Sequence, residues 1–257
     1  VANNESAPAI KVLVKINPAP LDDFFKGREE CRYSRVTPPL FIRLDGVRFG
    51  KALRGYTSPR DLRVHNALIE AAKAIMTRFN ALISYVVSDE INILMSDALP
   101  YGGRTFKLLS VTSSIASSHI SLKLNIPLYF DSRIILLDNV KQAISYILYR
   151  ARVGSNNYIS SIYHQFIKDP ETPSLTNMIS KLKELGLMGN IKTWEIIGSC
   201  LSWEIYVKKG YDPISNKVVE TMRRKITVHE GIENCIEIIN RAGYIKQSTA
   251  LPGLKGF

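Results

Sequence analysis

Two acidic motifs carry the residue types from which metal-assisted chemistry is built. In PLFIRLDGVRFG a short apolar run ends at Asp45-Gly46, and in SYVVSDEINILM two apolar runs flank Ser88-Asp89-Glu90. Paired carboxylates on rigid strand ends can hold two Mg²⁺ ions about 4 Å apart, one on an attacking hydroxyl and one on a triphosphate. Magnesium binds hard oxygens and keeps several waters, so two side chains and a backbone carbonyl suffice as ligands. The glycines and arginine of DGVRFG also offer backbone N–H groups that can cradle phosphate. Each motif alone reads more readily as an ordinary solvated turn. The chemistry requires the fold to bring them together.

The elements between the motifs predict that it does. Leu40–Leu44 reads as a buried strand closed by Asp45. Residues 62–79 repeat apolar side chains at helical spacing; Ile83–Val87 and Ile91–Met95 read as strands joined through Ser88, Asp89 and Glu90. A helix over 104–121, a strand over 129–136 and a helix over 140–150 follow. This is the βαββαβ order of an α+β, ferredoxin-like unit: an antiparallel sheet with helices on one face, the plan also of polymerase palms. In it the first and third strands are neighbours, so Asp45 and Asp89 meet at one sheet edge beside Glu90. Pro-rich joints at Thr37-Pro38-Pro39 and Asp169–Pro173 divide the chain into an extension (1–37), a palm domain (38–168) and a smaller α/β extension (174–257).

The 257 residues carry 34 Lys and Arg against 23 Asp and Glu, a net charge of +11. Such a surplus suits a polyanionic partner, because each neutralised phosphate releases counterions. In the last third, basic residues (Lys208, Lys209, Arg223, Arg224) alternate with Trp194, Trp203, Tyr206 and Tyr211, a mixture suited to RNA phosphates and bases. The two tryptophans themselves are expected in the core. Cys31, Cys200 and Cys235 are odd in number, scattered and outside any C-x-x-C pair, so neither a disulfide nor a zinc site is expected and a reducing cytoplasm fits. No apolar run approaches membrane-spanning length, and VANNESAPAI lacks the basic start and apolar stretch of a signal peptide.

The pair FIRLDGVRF and SYVVSDEINILM resembles the tRNA-His guanylyltransferase family, including its archaeal and bacterial tRNA-repair relatives. GGRTFKLLSVTSS is similar to the family's basic helix start, YFDSRIILL to its Phe-Asp-x-Arg strand and YRARVGSNNYI to its Trp-Arg…Asn helix. WEIIGSCLSWEIYVKKGYDPISNKVVETMRRK is similar to the strand region of the shorter, archaeal-type members, so the resemblance spans roughly Leu40 to Lys225. It implies a 3′–5′ nucleotidyltransferase that adds GTP or another NTP to the 5′ end of tRNA, after ATP activates the 5′-monophosphate, with two Mg²⁺ ions. By the resemblance, Asp45, Gly46 (through its carbonyl) and Asp89 hold metal, and Glu90 is needed for activity. Asp45, Gly46, Val47, Arg48, Phe49, Gly50, Ser88 and Asp89 line the nucleotide. Arg104, Lys107, Arg133, Arg150 and Asn157 bind phosphate or the tRNA end. The acceptor stem is the implied partner, and a homo-oligomer (dimer or tetramer) the implied assembly.

Tyr149 stands where the family has tryptophan, Val153 where it has an acidic residue, and the eukaryotic-type histidine is missing; these departures favour templated 5′-end repair, or altered end recognition, over strict G addition. A palm-fold nucleotide cyclase and a non-catalytic RNA-binding palm are the alternatives. A cyclase would not need the basic, aromatic last third, and an RNA-binding palm would not need Asp45, Asp89 and Glu90 intact. The segments IKVLVKI and PLDDFFKG, before Pro38, fall outside the resemblance and read as an added strand or a subunit contact.

Overall fold

Leu40, Phe41, Ile42 and Leu44 are all fully buried, which a strand achieves only when both faces of its sheet are covered. The computed structural model describes residues 17–168, 171–214 and 216–248. Helix α1 (Pro18–Lys26) leads into strand β1 (Leu40–Gly46), a one-turn helix α2 (Phe49–Ala52) and helix α3 (Leu62–Phe79). The hairpin β2 (Ile83–Val87) and β3 (Glu90–Met95), helix α4 (Thr105–Leu124) and strand β4 (Phe130–Leu136) complete the βαββαβ unit. Beyond it lie helices α5 (Gln142–Phe166), α6 (Leu175–Glu184) and α7 (Thr193–Ile197), the long strands β5 (Ser199–Asp212) and β6 (Lys217–Glu230), and helix α8 (Glu233–Ser248).

Local chemistry sets the ends of the central helices. Asp61 caps α3 by accepting the Arg63 amide, and Asn80 ends it in the left-handed conformation that asparagine tolerates. Asn125 ends α4 in the same way. The strands form one antiparallel sheet in the order β4-β1-β3-β2-β5-β6. The expected adjacency of the first and third strands is present, and α3 and α4 share one face over Leu40, Ile42, Leu44, Ile91 and Ile93.

The opposite face is covered by elements for which the sequence offered no position. Phe41, Ile83, Tyr85, Val87 and Leu94 pack under α5 and α8. The helix expected to end at Arg150 runs on to Phe166, because Ile147, Ala151, Gly154, Tyr158 and Ile162 continue its buried stripe. Its last turns make a further cluster with Met178 and Leu182 of α6. Strand β5 pairs with β2 only over Ser199–Ser202, then continues with β6 as a two-stranded arm, so the C-terminal segment extends the same sheet.

Cysteine usage is corrected by the structure. Cys200, at the start of β5, and Cys235, in α8, are 35 residues apart and form a disulfide. Spacing could not reveal it, because the pairing depends on α8 folding back over the sheet; the cysteines give no argument for a reducing compartment. In PLDDFFKG helix α1 stands in place of the expected strand, whereas IKVLVKI, Asp169 and Pro170 lie outside the described residues. Among the described residues no helix is long and apolar enough to cross a membrane.

Candidate active site

Strand register brings the acidic motifs together. Asp45 of β1 faces Glu90 of β3 on one side and Asp131 of β4 on the other. The Gly46 amide donates to the Asp89 carbonyl (3.1 Å), which ties the end of β1 to the β2–β3 turn. That turn is tighter than expected: Glu90 pairs with Val87 as the first residue of β3, leaving Ser88 and Asp89 as the tip. Ser88 has a positive φ of 59°, and its hydroxyl donates to Asp89 Oδ1 at 2.9 Å. A Cβ added at Gly46 would lie 2.6 Å from the Phe49 ring, so only glycine admits this buried aromatic beneath the turn. Phe49 in turn stacks edge-on against Phe130, while Val47 donates its amide to the Tyr129 carbonyl (2.8 Å). Arg48 takes a left-handed conformation before α2, with φ 56°. Gly50 has open space where a Cβ would stand.

Glu90 is buried in a clamp of two arginines. Arg43 donates to Glu90 Oε1 (2.9 Å) and to Asp45 Oδ2 (3.1 Å); Arg150 Nε donates to Glu90 Oε2 (2.9 Å) while its Nη2 donates to Oε1. Both Glu90 oxygens accept from arginine, so the clamp fixes its carboxylate at the edge of the site. Asp45 differs. Burial raises its pKa, Arg43 opposes the rise, and the nearby carboxylates of Glu90, Asp89 and Asp131 add to it. A carboxylate held among others with one adjacent arginine favours a bound cation. Among the described residues no three His, Cys, Asp or Glu side chains converge as a ready metal cage. Asp45, Asp89 and the backbone carbonyls beside them offer hard oxygens of the kind Mg²⁺ takes.

The other expected contacts divide. Arg150 joins the site through Glu90. Arg133 lies opposite Arg43 on β4 and pairs with Asp131 (3.0 Å). Asn157 is two turns further along α5 and exposed. Arg104 and Lys107 are not brought there: they begin α4 beyond the far end of β3, where Val36 binds Gly103 and Lys107 sits 5.4 Å from the Tyr101 ring. Six residues of strand separate that end from Asp89, roughly 20 Å. Arg43 and Asp131 were missed by sequence. Arg43 was readable, since residues two apart on a strand share a face; Asp131 needed the register.

Beside Asp89 opens a cavity of about 460 Å³, lined by Phe49, Gly50, Tyr56, Arg60, His65 and Trp194 among others, with Ser88 at its mouth. His65 stacks on Trp194 (centroids 4.6 Å apart) and its Nε2 lies 2.9 Å from the Ser199 hydroxyl. Burial, with the Arg60 charge nearby, lowers its pKa to about 4, so the ring is neutral. Asp61 is fully engaged by Thr57, Arg63 and the helix it caps, and the Arg63 hydrogen bonds hold it well below the usual carboxylate range.

Residues 25–138, which contain this carboxylate cluster, match the model of the tRNAHis guanylyltransferase family. That match covers less than half of the chain. A 133-residue stretch is 31 % identical to the tRNA(His) guanylyltransferase of Schizosaccharomyces pombe, covering 46 % of this chain and 51 % of that one. A 113-residue stretch is 30 % identical to an uncharacterized protein of Acanthamoeba polyphaga mimivirus, covering 38 % of each. The chain thus spans about half or less of the curated relatives it matches. Among solved structures, a bacterial tRNA(His) guanylyltransferase-like protein in complex with ATP superposes with a TM-score of 0.70 at 22 % identity, over 87 % of this chain and 99 % of that one. The corresponding complex with GTP gives 0.68 at 23 %, over 88 % and 97 %. The fold similarity therefore reaches past Asp138, where the family match ends. Arg150 and Asn157 lie in that outer part.

Proposed function

We propose that this chain adds nucleotides to the 5′ end of tRNA in the 3′–5′ direction. The observation that carries the reading is the meeting of Asp45 and Asp89 at one sheet edge, next to a cavity that admits a nucleoside. The reaction has two transfers. The 5′-monophosphate of the RNA attacks the α-phosphorus of ATP, forming a pyrophosphate linkage and releasing inorganic pyrophosphate. The 3′-hydroxyl of an incoming NTP then attacks the RNA 5′-phosphorus; a new P–O bond forms, the anhydride bond to AMP breaks, and the hydroxyl proton passes to solvent.

Asp45 and Asp89, with the Gly46 carbonyl, would hold Mg²⁺, which when bound acidifies the attacking hydroxyl and offsets phosphate charge. Residues 45–50 and Ser88 enclose the triphosphate, with Phe49 fixing the turn from below. Glu90 keeps Arg43 and Arg150 in place at the carboxylate edge, and Arg133 reaches the same face for the RNA 5′ phosphate. Arg104 and Lys107, at the other end of the sheet, are positioned for the tRNA body. Templated repair is favoured over strict G addition by Tyr149 and Val153. The assembly is a homo-oligomer formed through the β5–β6 arm. Along it Ile205, Val207, Tyr211, Val218 and Met222 line one exposed face, and an isolated two-stranded ribbon is marginal in water.

The test is extension of 5′-monophosphorylated tRNA, full-length or lacking its first nucleotide, with ATP, Mg²⁺ and each NTP. A 5′-extended product lost in Asp89→Ala is expected, with the truncated tRNA preferred. No extension of either RNA, including 5′-triphosphorylated forms, by folded protein would overturn the reading; cyclic nucleotide formed from NTP alone would replace it with a cyclase.

A further inference from the structure

The cavity beside Asp89 contains a cation outside both acidic motifs. Arg60 precedes the cap of α3 and lines the cavity with Ser88, Asp89 and Trp194. Its Nη1 donates to the Pro59 carbonyl at 3.2 Å, whereas Nε and Nη2 are buried and meet no acceptor. These two nitrogens form one edge of the guanidinium, the two-donor fork that matches a phosphate or carboxylate side-on. Among the described residues no carboxylate pairs with Arg60. Its neighbour Asp61 is used up by Thr57 and Arg63, and Glu90 by Arg43 and Arg150. The Tyr158 ring, 5.7 Å from the guanidinium carbon, braces the side chain from α5.

We infer that Arg60 is a phosphate-binding residue whose free Nε–Nη2 fork takes two oxygens of a phosphate group entering the cavity. A buried cation without a counter-ion is costly, as is each buried donor left unmade, and an anion removes both costs together. A neutral purine edge offers two acceptors but leaves the charge unbalanced. Burial is the main influence lowering the Arg60 pKa, and Asp89, Glu195 and Glu90 offset it only through space. Because the fork is closed to solvent, it engages after a rotamer change of the long side chain toward the cavity. The phosphate belongs either to the NTP or to the RNA 5′ end; this identity rests on the nucleotidyl-transfer reading, whereas the fork does not.

Binding by Arg60→Gln and Arg60→Lys tests it at fixed Mg²⁺, with GTP against guanosine and 5′-phosphorylated against 5′-hydroxyl oligoribonucleotide. Loss of hydrogen bonds to a charged group predicts that Arg60→Gln weakens one phosphate-bearing probe about 10- to 100-fold, with less than about a twofold change for its phosphate-free counterpart. Loss for GTP assigns the triphosphate, and loss for the RNA assigns the 5′ end. Arg60→Lys, which keeps charge without the fork, falls between and serves if Arg60→Gln does not fold. Equal weakening of phosphate-bearing and phosphate-free probes, unchanged binding in the variants, or wild-type protein that binds neither phosphate probe would overturn the inference. Phosphate binding lost in Arg60→Gln by a protein that extends no tRNA would keep Arg60 and remove the proposed reaction.

Discussion

Both oxygens of Glu90 accept from buried arginines, and this separates its surroundings from those of Asp45 and Asp89 although all three are acids at one edge. Removing it strips Arg150 of its carboxylate and leaves Arg43 with Asp45 alone. Glu90→Ala is expected to cost about 3–5 kcal/mol of stability, read by denaturant unfolding, since breaking a buried pair strands its partners. Asp89→Asn, at the turn, should leave stability nearly unchanged while abolishing extension. His65 supplies a pH signature. Its folded pKa is about 4 against an ordinary 6.5. Between these values the unfolded chain binds a proton that the folded chain refuses, so this contribution to stability falls as pH drops from about 6.5 to about 4. It amounts to about 3 kcal/mol. His65→Gln should flatten that acid limb in unfolding midpoints measured across the window, relative to wild type.

The elements explain how far sequence could go. Hydrophobic alternation and helical spacing gave β1, α3, the β2–β3 hairpin, α4 and β4 to within a few residues, because each is a local pattern with its own cap or turn. Asp45 and Asp89 were legible as a pair since a ferredoxin-like order dictates which strands adjoin. Trp194 is buried and Trp203 partly buried against the core, with the Trp203 indole donating to the Ala81 carbonyl (2.8 Å), as the core expectation held. Glu90 was mistaken for part of the hairpin tip, because polarity marks a turn locally and only the arginine clamp makes a buried glutamate sustainable. The length of α5, its packing on the second sheet face and the Cys200–Cys235 bond depend on contacts between distant segments and leave no local periodicity. Close approach of α5 makes its own prediction. A Cβ at Gly154 would lie 2.5 Å from Val87 Cγ2, next to the β2–β3 turn. Gly154→Val should therefore destabilise by about 1–3 kcal/mol through overpacking and reduce extension by moving Arg150 away from Glu90. Melting temperature and turnover report the two effects separately.

Across the whole molecule, charge and shape are unevenly distributed. The acidic edge at Asp45 and Asp89 sits in a chain of net charge +11, and Arg104 and Lys107 occupy the opposite end of the sheet. RNA binding should weaken steeply with added salt, whereas nucleoside binding in the cavity should not. The arm makes a separate prediction: Val207→Asp with Met222→Asp, opposite each other in register, should reduce the mass in solution to that of one chain, measured by light scattering. Nucleotide affinity should be retained, because no residue of β5 or β6 lines the cavity. The disulfide has a topological consequence for this arm. Cys200 and Cys235 bracket β5 and β6, so the entire projection is a covalently closed loop rooted in the sheet. Trypsin cutting at exposed Lys208 or Lys209 would open the loop without releasing either piece, and the nicked chain would migrate as one band until a reductant separates it into two.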